Sequence, residues 1–216
     1  MQKKSWPNFD KNLISKVSKI LSSGEINYSN GPYGKKFEKE FSKFVGNGYS
    51  VAICNGTAAL EVAIKSLQLP KNSEIIVTAR SFFSSAACIV NTGHIPIFSD
   101  VNLLTQNISL GDIKKKISKR TKAIICVHLA GLPCNMNDIK KLANKNKIKI
   151  IEDCSQAHGA SINNKQVGSF GDVSTWSFCN DKIISTLGEG GMISTNKKKI
   201  YDFCKTYINH GSVLKD

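Results

Sequence analysis

Residues 148–160 read Ile148-Lys149-Ile150-Ile151-Glu152-Asp153-Cys154-Ser155-Gln156-Ala157-His158-Gly159-Ala160, an apolar run of strand type that ends on two acidic residues and then turns small and polar. Buried parallel strands read as unbroken apolar runs, and ligands of such sheets bind beyond the carboxyl ends of the strands. A carboxylate at that end is costly to bury unless a cation or strong donors meet it, and a protonated ring nitrogen is one such cation. At an effective dielectric of 20, a pair about 4 Å apart is worth roughly 4 kcal/mol, enough to move a ring-nitrogen pKa by about three units. The plainer alternatives are a helix cap for Asp153 and a satisfied structural histidine for His158.

Working outward, similar runs occur at 51–53, 74–78, 95–98 and 123–127 before this stretch and at 173–178 after it. Helix-length segments at 57–67, 82–91, 111–117 and 137–146 lie between the first five runs. Upstream, Phe9, Leu13, Val17, Ile20 and Leu21 recur at helical spacing until Ser22-Ser23-Gly24, and Phe37, Phe41 and Phe44 mark a second amphipathic helix that stops at Gly46-Asn47-Gly48. This alternation predicts an α/β fold, a mostly parallel sheet flanked by helices on both faces. Residues 197–209 are helical in character, and the chain stops soon afterwards at Val213-Leu214-Lys215-Asp216, which does not look like a natural domain end.

The 216 residues suffice for one full α/β domain, and 41% hydrophobic with 21% charged residues excludes dominant disorder. No apolar run reaches the roughly 18 to 20 residues of a membrane span, and the polar start MQKKSWPNFD lacks a secretory core. A cytoplasmic protein is expected, with no membrane partner. Seven cysteines, at 54, 88, 126, 134, 154, 179 and 204, form no CxxC pair and no short Cys/His cluster, so no metal site is expected and the thiols read as reduced. The net charge of +14 raises nucleic-acid binding. Composition argues against it: Arg80 and Arg120 are the only arginines, and the lysines of 114–116, 140–149 and 197–199 read as solvated helix faces.

Two further segments carry chemistry. Cys54-Asn55-Gly56-Thr57-Ala58-Ala59-Leu60 follows a strand and opens a helix, where small residues let free backbone N–H groups approach a phosphate. An ordinary turn and cap reads the same way. The other segment runs from Gly168 through Ser177-Phe178-Cys179-Asn180-Asp181-Lys182 to Gly188-Glu189-Gly190-Gly191, a lysine just past a strand with a glycine-rich turn behind it.

In this order and at this separation, the three segments resemble the DegT/StrS family of nucleotide-sugar aminotransferases, which use pyridoxal 5′-phosphate (PLP) on the aspartate-aminotransferase type of fold. The resemblance extends from Trp6-Pro7 through Gly31-Pro32-Tyr33-Gly34, Phe37-Glu38 and Asn55 to Leu60. It continues through Thr121-Lys122-Ala123-Ile124 and Val127-His128-Leu129-Ala130-Gly131 to His210-Gly211. It implies that Lys182 forms the Schiff base with PLP, that Asp153 pairs with the ring nitrogen and that Gln156 lies near the ring hydroxyl. Gly56, Thr57 and Ser177 would contact the phosphate, and Phe82 would cover the ring face. The implied reaction moves an amino group, usually from glutamate, to a keto group on a nucleotide-linked sugar. Relatives with histidine in place of the lysine are dehydratases, and Lys182 points away from them.

The resemblance also implies a division into an N-terminal arm and helix, 1–30, and a PLP-binding large domain, 31–216, truncated before the small domain that family members carry. Their active sites lie at a homodimer interface. An incomplete, inactive copy, and a catalytically dead PLP-fold remnant acting as an interaction module, are the alternatives to an active sugar aminotransferase, with a basic nucleic-acid binder as the third class.

Overall fold

The computed structural model describes residues 6–29 and 31–212. The first half of the polar start, the division at 30/31 and the 213–216 tail therefore lie at or outside the described residues. Two helices come first, α1 (Lys11–Ser23) and α2 (Tyr33–Val45), then β1 (Tyr49–Ile53), α3 (Gly56–Ser66), β2 (Glu74–Thr78), α4 (Ser84–Asn91) and β3 (Ile95–Ser99). There follow α5 (Leu110–Lys116), β4 (Thr121–Val127), α6 (Met136–Asn146) and β5 (Lys149–Asp153). The short hairpin β6 (Ser161–Ile162) and β7 (Lys165–Gln166) precedes β8 (Val173–Ser177), β9 (Gly191–Thr195) and α7 (Lys198–Ile208).

Seven strands form one sheet in the order β1-β9-β8-β5-β4-β2-β3. The pairs β2·β3, β2·β4, β4·β5 and β5·β8 are parallel, and β9 runs antiparallel between β8 and β1. The expected mostly parallel α/β sheet is therefore present.

Side-chain alternation along the strands sorts the core into two faces. Ile75, Val77, Ala123, Ile125 and Ile151 point to one side and pack with α3, α4 and α7. Their neighbours Ile76, Ile124, Cys126 and Ile150 point to the other and meet α5 and α6, while Phe41 and Val45 of α2 cover Trp176 and Met192 on that same side. Five of the seven cysteines are buried and all seven are free; burial pushes the Cys88, Cys134 and Cys204 thiols up to about 12, so they stay protonated.

The N-terminal helix is specified locally. Asp10 caps it by accepting from Leu13 N–H at 2.7 Å, and Gly24, in the left-handed region, ends it. None of its residues is buried. The chain after it is tied down by Glu38, whose Oε1 accepts from Tyr28 O–H and from Ala52 N–H, both at 2.8 Å, while Lys205 of α7 approaches Oε2 at 3.5 Å. Among the described residues no helix is long and apolar enough to cross a membrane.

Candidate active site

Where β4, β5 and β8 end, on the α3/α4 face, a cavity of about 550 Å³ opens. Its lining brings together Gly56, Thr57, Phe82, Asp153, Gln156, Ser177 and Lys182, all seven positions singled out from the sequence. Parallel order explains the convergence, because each residue either terminates a strand or begins the segment that follows one.

The alternation rule separates the two acidic residues of β5. Asp153 shares the phase of Ile151 and faces the cavity; Glu152 shares the phase of Ile150 and faces away. Asp153 is 5% exposed. Its Oδ2 accepts from the Ser85 hydroxyl at 2.9 Å and its Oδ1 from Ser155 N–H at 3.2 Å. The Ser155 bond closes a local turn; no helix starts directly after β5, so Asp153 is not the helix cap weighed from the sequence, and its side chain lines the cavity. Among the described residues no cation forms an ion pair with this carboxylate.

Glu152 is fully buried and carries a different load. Its oxygens accept from the N–H groups of Gly168, Phe170 and Gly171 at 2.8, 2.7 and 2.6 Å, and from His128 Nε2 at 3.1 Å. The His128 Nδ1 accepts from Cys134 N–H at 3.0 Å, which fixes the proton on Nε2. Although His128, Glu152 and Cys154 cluster as metal ligands might, both imidazole nitrogens are committed, and the group acts as a strut beneath the segment leading into β8.

On the opposite wall α3 starts against β8. Asn55 caps the helix by accepting from Ala58 N–H at 2.8 Å, so the first-turn N–H groups of Gly56 and Thr57, which have no intrahelical acceptor, are left for a ligand. A Cβ on Gly56 would lie 2.8 Å from the Ser177 Cβ, so only glycine allows the helix to begin this close to the strand. The Thr57 and Ser84 hydroxyls bond each other at 2.7 Å.

Lys182 lies in the loop after β8. Its side chain is 20% exposed, and Nζ is 3.0 Å from Asp181 Oδ2. That hydrogen bond holds the Asp181 carboxyl below its ordinary range. It is thus a lysine held in a cavity rather than one more of the surface lysines. Phe82 is 71% exposed at the rim.

His158 departs from the satisfied structural histidine weighed above. It is 8% exposed between Trp176 and Phe178, with ring centroids 5.3 and 5.6 Å away, and among the described residues neither nitrogen makes a hydrogen bond of normal geometry, although the Ser177 backbone offers a weak interaction. Burial pushes its pKa down to about 4, so the ring is neutral. Sequence reading also missed Ser85, Ser81, Asp181 and Glu189, which line the cavity. For Ser85 a signal existed: it stands one helical turn after Phe82.

The family model of the DegT/DnrJ/EryC1/StrS aminotransferases matches residues 7–216. The GDP-perosamine synthase of Escherichia coli O157:H7 is 42% identical over 195 residues, 90% of this chain and 53% of that protein. A crystal structure of the aminotransferase from Psychrobacter cryohalolentis superposes with a TM-score of 0.96 at 43% identity, covering 98% of this chain and 53% of the other. A GDP-4-keto-6-deoxymannose-3-dehydratase solved with a trapped PLP-glutamate geminal diamine gives 0.89 at 31% identity, covering 96% and 55%. The chain spans about half the length of the curated relatives it matches. With a family model that matches residues 7–216 and a fold that superposes over 98% of its length, the chain belongs to the DegT/DnrJ/EryC1/StrS aminotransferase family.

Proposed function

We propose that this chain is the PLP-binding part, 31–216 with an N-terminal arm and helix before it, of a cytoplasmic nucleotide-sugar aminotransferase. Its amino donor is glutamate, its acceptor is a keto group on a nucleotide-linked sugar destined for surface polysaccharide, and its full-length form is a homodimer. The GDP-perosamine synthase likeness supports the substrate class, and the PLP-glutamate adduct in the dehydratase supports the cofactor and donor. The observation that carries the reading is a buried carboxylate, Asp153, facing the same cavity as a tethered amine, Lys182, and met among the described residues by two neutral donors.

The donor set fits the cofactor. Asp153 lacks a cation and a protonated ring nitrogen provides one; the start of α3 with Ser177 offers N–H and hydroxyl donors for a phosphate. When bound, PLP supplies an aldehyde that condenses with amines and a ring that accepts the electron pair left when a substrate carbon loses its proton. Asp153 keeps the ring nitrogen protonated, and Ser85 and Ser155 keep Asp153 in place. Gly56, Thr57 and Ser177 would hold the phosphate end and Phe82 would cover the ring face, which together would orient the group. Lys182 Nζ would hold the aldehyde end and, as a tethered amine inside the cavity, would take the proton from the substrate carbon and return it, as general base and then acid.

Adding PLP to the chain should produce a visible absorption band that persists through gel filtration and is absent in Lys182→Ala. Equal spectra from the two proteins overturn the assignment of Lys182. Glutamate should then change the wild-type spectrum; a chain that keeps PLP but transfers no amino group from glutamate to a keto-sugar nucleotide is the remnant instead.

A further inference from the structure

Asn107 lies outside the cavity, at the end of a short series of contacts that reaches it. The residue is 3% exposed, and its side-chain amide is used at both ends. Nδ2 donates to the Leu132 carbonyl at 2.8 Å, and Oδ1 accepts from Leu129 N–H at 3.2 Å. One side chain thus spans the first and last residues of the turn that follows β4. The turn is closed further by Gly131 N–H to His128 C=O and Leu132 N–H to Leu129 C=O, at 3.2 and 3.0 Å.

Between these clamps Ala130 is held in the left-handed region, φ 53° and ψ 25°, which an alanine seldom adopts unless its surroundings impose it. This conformation brings Ala130 N–H to Gln156 Oε1 at 2.7 Å. An N–H only donates, so the end of the Gln156 amide that meets it must be the carbonyl oxygen. The NH2 is then what Gln156 has left to offer the cavity it lines.

We propose that Asn107 is a positioning residue: by clamping the 129–132 turn it aims the Ala130 N–H at Gln156 and so fixes the Gln156 amide with its NH2 available to the bound group. The inference rests on the PLP reading of the cavity with Gln156 beside the ring hydroxyl. An NH2 there donates to an ionised ring oxygen and favours it, whereas a reversed amide presents a lone pair and repels it. Gln156 alone does not determine which end it shows; the backbone peptide it meets does, and Asn107 holds that peptide.

The test is a double-mutant cycle on the 216-residue chain, read by PLP affinity and by the pH midpoint of the visible band. Asn107→Ala is expected to weaken PLP binding roughly tenfold, the factor that corresponds to 1.4 kcal/mol, and to raise the midpoint as the ionised oxygen loses its donor. In a Gln156→Ala background the same change should have less than about a twofold effect and leave the midpoint unmoved. Asn107→Leu keeps the side-chain volume and loses both hydrogen bonds without adding a charge; it serves where the alanine variant does not fold and should shift the midpoint in the same direction. Effects that multiply in the double mutant, or an unmoved midpoint in both Asn107 variants, overturn the inference while the PLP reading stands. A wild-type chain that takes up no PLP overturns both.

Discussion

Replacing Glu152 by glutamine exchanges one heavy atom of the side chain, an oxygen for an NH2, and should disable the strut beneath β8. The carboxylate is 0% exposed and accepts four hydrogen bonds: Oε1 from Phe170 and Gly171 N–H, Oε2 from Gly168 N–H and His128 Nε2. Whichever oxygen becomes NH2, it faces two donors that are already in place. On the Oε2 side the imidazole cannot adapt by moving its proton, because Nδ1 is occupied by Cys134 N–H. Each bond to a charged acceptor contributes roughly 1.5–3 kcal/mol, so losing two costs about 3–6 kcal/mol. Domains of this kind are stable by about 5–15 kcal/mol in all, so the variant should be close to unfolding at room temperature. Urea denaturation followed by tryptophan fluorescence reads this directly, since Trp176 is fully buried beside the segment in question. The expected result is a much lower midpoint at an unchanged slope. A loss below about 1 kcal/mol would mean that the four contacts are not what holds residues 168–171, and would refute the reasoning.

Three further outcomes are expected. Gly56→Ala drives a Cβ to 2.8 Å from the Ser177 Cβ, so it should cost about 1–3 kcal/mol in the same denaturation assay and weaken PLP retention; equal affinity would dismiss the close approach as a phosphate device. Ser85→Ala removes the 2.9 Å bond to Asp153, and should weaken PLP binding severalfold while stability changes by only about 1 kcal/mol; an unaltered dissociation constant counts against Asp153 as the ring partner. His158 has its pKa pushed down from 6.5 to about 4 by burial, so the unfolded chain binds a proton there before the folded chain does. Stability is therefore full above pH 6.5 and declines, by about 3 kcal/mol, as the pH falls towards 4. His158→Phe, which leaves no ring nitrogen poorly partnered, should be at least as stable at pH 7 and lose this part of the acid dependence; an identical acid profile would contradict the assignment.

Most strands were legible within two residues of their ends because apolar runs bounded by turn residues leave little choice: 74–78 reads with the strand's own bounds, and 148–152 one residue early against 149–153. The helices were legible by spacing and by their ends, as at Gly24 and Gly46. The seven cavity positions came from the resemblance to the DegT/StrS family, and parallel topology, which gathers strand ends, is why they line one cavity. What escaped was set by distance in the chain. Asn107 acts on residues 22 and 25 positions away, and no local pattern marks an asparagine that will meet a particular turn. The difference between Glu152 and Asp153 was open to reading, since alternation already sends neighbours to opposite sides; the sequence treats them as one acidic pair only if that rule is set aside. For His158, a satisfied ring and a poorly partnered one carry the same letter, and only the closure of Trp176 and Phe178 around it decides.

The two acidic neighbours of β5 make pairing errors self-reporting. Were this strand to slide forward by one position against β4, Glu152 would come to the cavity end and Ile151, which has no acceptor, would stand where four donors are now met. Misaligned chains would then lose their scaffold and their chemistry in the same event, so a population of folded but inert molecules with this slip has no way to accumulate.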